Sequence, residues 1–288
     1  MKFKLTLTSL AAIVSVSLPA FAEDTDDEIA MKLSNPVASM ISVPFQFNWD
    51  TGMGPLDDGW QFKLNFQPVV PVSLNEDWNL IVRTIVPYII QEDVFKGPAA
   101  EKGVPYDRWQ NGLGDITQSF FFSPTKPVGG WTLGFGPVIY YPSATDDLLG
   151  AEKWAAGPTL LMLRQQHGWT YGFLANHLWS FAGDDSRTDL SATFVQPFLS
   201  YQTKTKTTIG INTEATYDWN ESQWTVPVNG FVSQLVRIGK MPVSFTVGGR
   251  YYAEGPSGAP EWGLRFVVTL VFPEGGEKHA PDHKSFRK

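Results

Sequence analysis

The stretch Thr207-Thr208-Ile209-Gly210-Ile211-Asn212-Thr213-Glu214-Ala215-Thr216-Tyr217-Asp218-Trp219 reads with a period of two. Ile209, Ile211, Ala215, Tyr217 and Trp219 fall on odd positions; Thr208, Gly210, Asn212, Glu214, Thr216 and Asp218 fall on even ones. Successive side chains of an extended chain point to opposite faces, so this segment has one apolar face and one wet face. Trp60 to Val70 repeats the pattern, with Trp60, Phe62, Leu64, Phe66 and Val70 set against Gln61, Lys63, Asn65 and Gln67. Val243, Phe245 and Val247 alternate with Ser244 and Thr246, and Leu264, Phe266, Val268, Leu270 and Phe272 oppose Arg265 and Thr269. Such runs exceed the usual five or six residues of a soluble strand and suit a tilted membrane-crossing strand of roughly 9–11. The fold class they imply is all-β: a transmembrane antiparallel up-and-down β-barrel of about twelve strands, with short periplasmic turns and longer outer loops.

Composition bounds the alternatives. No run of apolar residues approaches the roughly 18 that a spanning helix needs. The net charge of −7 gives no basic footprint for nucleic acid. Cysteine is absent, which excludes disulfide frameworks and thiolate metal sites. At the start, Lys2 and Lys4, an apolar run from Leu5 to Leu18, and Ala20-Phe21-Ala22 form the three parts of a secretory signal. Residues 1–22 are therefore expected to be a leader, and the mature chain an exported protein of the cell outer membrane.

Residues 23–40 open with an acidic run and continue into a short helix candidate over Ile29 to Met40, with Asn35-Pro36 marking a turn or a helix start. The segment is either periplasmic or a plug folded into the lumen; the sequence leaves both open. The barrel is expected over 41–272, with strands centred near residues 46, 66, 84, 118, 137, 160, 175, 195, 213, 231, 248 and 267. A polar tail over 273–288 would hang in the periplasm, leaving Phe272 as the terminal aromatic of the last strand.

Links between these strands alternate in length. Short ones fall at Asn75-Glu76-Asp77, Thr125 to Gly130, His167-Gly168, Thr203 to Lys206 and Gly239-Lys240-Met241. Longer or more polar ones fall at 51–59, 93–110, 143–152, 183–187, 220–223 and 254–261. This sorting matches a barrel with two unlike ends. Tryptophans cluster beside the links, as expected of indoles at two water–hydrocarbon rims. Prolines within the strands (Pro68, Pro87, Pro137, Pro158, Pro197 and Pro227) count against unbroken ladders, since each removes a donor.

The segments Ser34-Asn35-Pro36-Val37-Ala38 and Val43-Pro44-Phe45-Gln46-Phe47-Asn48-Trp49-Asp50 carry a family resemblance. So do Gly136-Pro137, Pro142-Ser143-Ala144-Thr145, Leu149-Gly150, Lys153-Trp154 and Gly157-Pro158. Together, over roughly Ser34 to Phe272, the chain resembles bacterial outer-membrane barrels described as transporters or as "meta-pathway of phenol degradation" proteins. The resemblance implies an outer-membrane channel for small aromatic or hydrophobic compounds, and it brings no catalytic residues with it.

In a barrel the polar faces line the lumen. The solute-contact candidates are Lys63, Asn65, Gln67, Arg83, Asn212, Glu214, Asp218, Arg250 and Arg265, with Asn35 and Pro36 in the candidate plug. Inward charges either meet a passing solute or pair with one another across the lumen. A lipid-facing Arg would cost about 2–4 kcal/mol at mid-membrane, so Arg83 is expected to point inward.

An enzyme in the barrel wall is the reading that His177 tests. It is followed at the third position by Ser180, and on a strand that offset puts the two on opposite faces, out of hydrogen-bond reach. No catalytic residue is assigned. Asp146-Asp147 and Asp184-Asp185 with Asp189 lack the ligand spacing of a calcium loop, and neither a metal nor any other cofactor is expected. The partners implied are outer-membrane lipid, a small-molecule solute and the barrel-assembly machinery. A plugged structural or adhesion barrel acting through its outer loops is the alternative function; a lipid enzyme of the wall or a soluble periplasmic β protein are further ones.

Overall fold

The computed structural model describes residues 25–95 and 109–272. The expected leader, the polar tail and most of the link from 93 to 110 lie outside the described residues.

A short helix, α1 (Asp26–Leu33), precedes fifteen strand segments. In chain order these are β1 (Ile41–Met53), β2 (Gly59–Phe66), β3 (Val69–Ser73), β4 (Trp78–Glu92), β5 (Trp109–Leu113), β6 (Ile116–Pro124), β7 (Thr132–Tyr141) and β8 (Lys153–Gln166). They continue as β9 (Trp169–Gly183), β10 (Ser191–Gln202), β11 (Thr207–Thr213), β12 (Ala215–Asp218), β13 (Gln223–Ile238), β14 (Met241–Glu254) and β15 (Trp262–Phe272). Three pairs of segments are halves of a single strand: β2 with β3, β5 with β6, and β11 with β12. The result is a closed antiparallel barrel of twelve strands, as the sequence pattern implied. Each strand pairs with its chain neighbours, and β15 returns to β1 in register from Ile41 opposite Phe272 to Thr51 opposite Trp262.

Proline explains where the strands break. Pro68 separates β2 from β3, and its carbonyl accepts from Thr84 while it has no N–H to return. The gap at Gly114-Asp115 lies across from Pro87, whose carbonyl takes the Gly114 amide at 2.9 Å. The one-residue gap at Glu214 faces Pro227, beside a register shift in the β13–β14 ladder. Pro158 sits opposite Pro137 where β8 skips pairing with β9. Most of the prolines thus coincide with local interruptions, which is where a missing donor is tolerated. Pro197 is the exception, sitting in the ladder opposite Phe173.

The distribution of exposure is inside out relative to a soluble β protein. Val247 is 58% exposed and Ile209 54%, while Thr208 is 7% and Asn229 2% exposed. Apolar side chains cover the outer surface, and polar ones are enclosed. Indoles concentrate near strand ends: Trp49, Trp154, Trp179, Trp219, Trp224 and Trp262 are exposed towards the long loops, and Trp169 follows a short turn. Trp49 stacks on Trp60 with centroids 4.9 Å apart and planes at 5°.

What apolar core exists within the barrel is built with the segment before β1. Thr25 caps α1 through a reciprocal box with Glu28, which satisfies otherwise orphaned amides at the helix start. Ile29 and Ala30 then pack with Ala38, Met40, Leu235 and Val271. Val37 joins Val69, Ile81, Phe121, Leu161, Leu163 and Leu174, which come from five different strand segments.

Candidate functional site in the barrel lumen

Glu214, at the one-residue gap between β11 and β12, stands at the centre of the site. It shares the inward face of Asn212 and Thr216, and both its oxygens accept from the guanidinium of Arg265 at 2.8 Å. This two-pronged geometry is the strong form of an Arg–carboxylate pair. Nε of Arg265 donates to Asn48 Oδ1 at 2.8 Å, tying β15 to β1. Arg250 donates to Asp50 at 3.0 Å and to Asn229 at 3.1 Å, and its other terminal nitrogen lies 3.9 Å from Glu214. Asn229 in turn donates to Asn212 at 2.7 Å, and Asn48 donates to the Lys63 carbonyl at 3.3 Å. Arg250 also lies over the ring of Tyr252, 5.3 Å from its centroid.

These contacts form one belt across the strands from β2 through β1, β15, β14 and β13 to the β11–β12 break. The side chains of Arg250 and Arg265 are each 9% exposed, so both guanidinium groups are removed from bulk water and rely on their partners. On β4, Arg83 faces the same cavity as Glu214, donates to Gln67 at 3.0 Å and makes no direct ion pair among the described residues. Towards the long loops, an inward glutamine ladder runs from Gln61 through Gln91 to Gln110, at 2.7 and 3.2 Å.

Between the belt and the N-terminal segment lies a cavity of about 600 Å³. Asn65, Gln67, Arg83, Asn212, Glu214 and Arg265 line it, together with Asn35 and Pro36. Of the nine solute-contact candidates read from sequence, Lys63 and Arg250 stand at the belt but not on the cavity wall. Asp218 is elsewhere: its carboxylate accepts the amides of Asn220 and Glu221 at 2.8 and 3.2 Å and shapes an outer turn. Sequence reasoning passed over Asn48, Asp50 and Asn229, although Asn48 and Asp50 share the inward parity of Gln46.

The segment over 26–40 is tied to the wall by polar contacts as well as by its apolar side chains. Arg237 meets Asp26 at 2.7 Å, Gln202 donates to the Asp27 carbonyl at 3.1 Å, and Gln165 donates to the Met31 carbonyl at 2.7 Å. Asn79 donates to Ser39 at 2.9 Å. Asn35 accepts the Val37 amide, closing the turn that aims Val37 into its cluster.

At the other end, Asp115 is buried and accepts the amides of Ser143, Ala144 and Ala151, holding loop 142–152 against β5. Arg187 reaches from the next outer loop to the Asp147 carbonyl at 2.8 Å. Asp189 pairs with Lys153 at 3.0 Å and with the Ser180 hydroxyl at 3.0 Å. The hydrogen bond from Lys153, then that from Ser180, holds the Asp189 carboxyl below the usual aspartate range. Asp184 is likewise held low, by the amide and hydroxyl of Ser186.

His177 lies on the outer face, where Nδ1 is 2.7 Å from Thr193 Oγ1 and the ring sits 3.9 Å from that of Trp179. The Trp219 indole donates to the same threonine hydroxyl. Ser180, in contrast, is engaged with Asp189 and the Leu190 amide. The arrangement binds neighbouring strands at an aromatic rim.

The barrel is similar to that of an outer membrane channel from Pseudomonas putida F1, with a TM-score of 0.62 and 13% identity over 81% of this chain and 96% of that one. Fainter likenesses are the NanC porin (TM-score 0.46, 10% identity, 81% and 98% covered) and outer membrane phospholipase A from Escherichia coli (TM-score 0.47, 11% identity, 79% and 89% covered). At such identities the likeness is one of fold. No protein-family model matches the chain, and no curated protein matches it in sequence.

Proposed function

We propose that this chain is an outer-membrane channel for small solutes, exported by the leader over 1–22 and inserted with its short turns towards the periplasm. Barrel-assembly machinery would receive a last strand ending at Phe272. The observation that carries the reading is the pairing of an apolar exterior with a cavity of about 600 Å³ inside the barrel, whose wall mixes charged, polar and apolar side chains. An apolar outside needs lipid, and an interior with room for a small molecule and polar groups on its wall is a route or a binding site. The resemblance of its motifs to barrels linked to phenol degradation points to small aromatic or hydrophobic solutes.

In this reading residues 26–40 act as a plug. They fill the short-turn end with Ile29, Val37 and Met40, and the ties at Asp26, Asp27 and Met31 hold them there. Transport then requires the segment to shift. The test is single-channel conductance of the mature chain in planar bilayers beside a variant lacking residues 23–40. We expect small or rare openings from the first and steady conductance from the second. Silence from a correctly folded truncated barrel would favour the structural, loop-displaying alternative.

A further inference from the structure

We propose that the cavity above the N-terminal segment binds a small monocarboxylate with an apolar body, and that Arg83 is the group that receives its carboxylate. The proposal rests on the channel reading and narrows the solute to an amphipathic anion.

The charge inventory of the cavity wall is lopsided. Arg83, Lys206 and Arg265 face it, as does Lys32, which is itself engaged, and Glu214 is its one acidic residue among the described residues. Glu214 is already engaged on both oxygens by Arg265. Arg83 is left with a single side-chain partner, the neutral Gln67, out of five N–H donors. Glu214 acts on Arg83 only through space, without a direct hydrogen bond, so the N–H groups of this enclosed guanidinium are left for an anion or water to complete. Its planar fork suits the two oxygens of a carboxylate.

Around Arg83 the wall supplies neutral hydrogen-bonding groups from Asn65, Ser119 and Thr117. The β9–β10 side of the same cavity carries Leu174, Leu178, Phe194 and Phe198, interspersed with the neutral polar side chains of Asn176 and Gln196. A guanidinium with open donors on one side and two phenylalanines with leucines on the other is a layout for a molecule with a carboxylate at one end and a ring or branched chain at the other. The volume of about 600 Å³ accepts a molecule of that size with room to spare.

Benzoate, its neutral isostere benzamide, and acetate are suitable probes, titrated into the purified mature chain in detergent by calorimetry. Benzoate is expected to bind at least about tenfold more tightly than either of the others, because the charge and the ring each contribute. Arg83→Gln should remove about tenfold or more of the benzoate affinity and leave benzamide unchanged, while Phe198→Ala should weaken benzoate without abolishing it. Equal binding of benzoate and benzamide by the unmodified protein would overturn the anion assignment without recourse to any variant. Equal binding of acetate and benzoate would overturn the apolar half. Unchanged benzoate affinity in a folded R83Q barrel would remove Arg83 from the site. The channel reading fails separately: a truncated barrel that binds benzoate through Arg83 yet conducts nothing would keep the site and lose the pore.

Discussion

Glu214 faces inward by the same alternation that turns Asn212 and Thr216 to the cavity, and its two-pronged bond to Arg265 anchors the belt. Removing one member of a buried charge pair leaves the other uncompensated, at a cost of about 3–5 kcal/mol. Arg265→Met should therefore lower the temperature at which the folded barrel converts to its slower- or faster-migrating unfolded form on gels. Adding Glu214→Gln to it should recover much of the loss; no recovery would mean the pair is not coupled. The outer loops give a pH prediction at the same scale. Because the Asp189 carboxyl is held low, its tie to Lys153 and Ser180 contributes fully above the ordinary aspartate value and is lost as pH falls through the lowered one. Amide protection in residues 184–190, measured against the intrinsic exchange rate at each pH, should fall as pH drops below about 3.9 in the native chain and already be low at neutral pH in Asp189→Asn. The inward parity of Lys63, Asn65, Arg250 and Arg265 was legible in the sequence, since a period of two is local. Their partners were not, because the bond from Arg265 to Asn48 joins positions 217 apart in the chain and depends on closure of the barrel.

At the scale of elements, strands and turns were readable and the helix was placed only by packing. All twelve strand centres follow from alternation and turn residues, both short-range signals. The prolines that argued against regular ladders mark interruptions instead, which alternation alone could not distinguish from strand ends. An eight-residue helix such as α1 has too little sequence to say what covers it; the apolar side chains of Leu235 and Val271 are what select its resting place. Ile29 is fully buried in that contact, so Ile29→Asp should loosen the segment. Open probability in planar bilayers should rise several-fold towards that of the variant lacking 23–40, and an unchanged record would show that α1 does not restrict the lumen.

For the whole molecule, the central claim is that hydrocarbon meets the odd-numbered face of strands such as β11 and that water meets the other. The chain has no cysteine, so single cysteines can be introduced and spin-labelled without background. The most direct measurement is the collision rate of such labels with oxygen, which partitions into lipid, and with a water-soluble nickel chelate. Labels at Ile209, Ile211 and Val247 are predicted to favour oxygen in reconstituted bilayers, and labels at Thr208, Asn212 and Thr246 to favour the chelate. Chelate-accessible labels at Ile209 and Val247, or an alternation of opposite phase, would contradict the account.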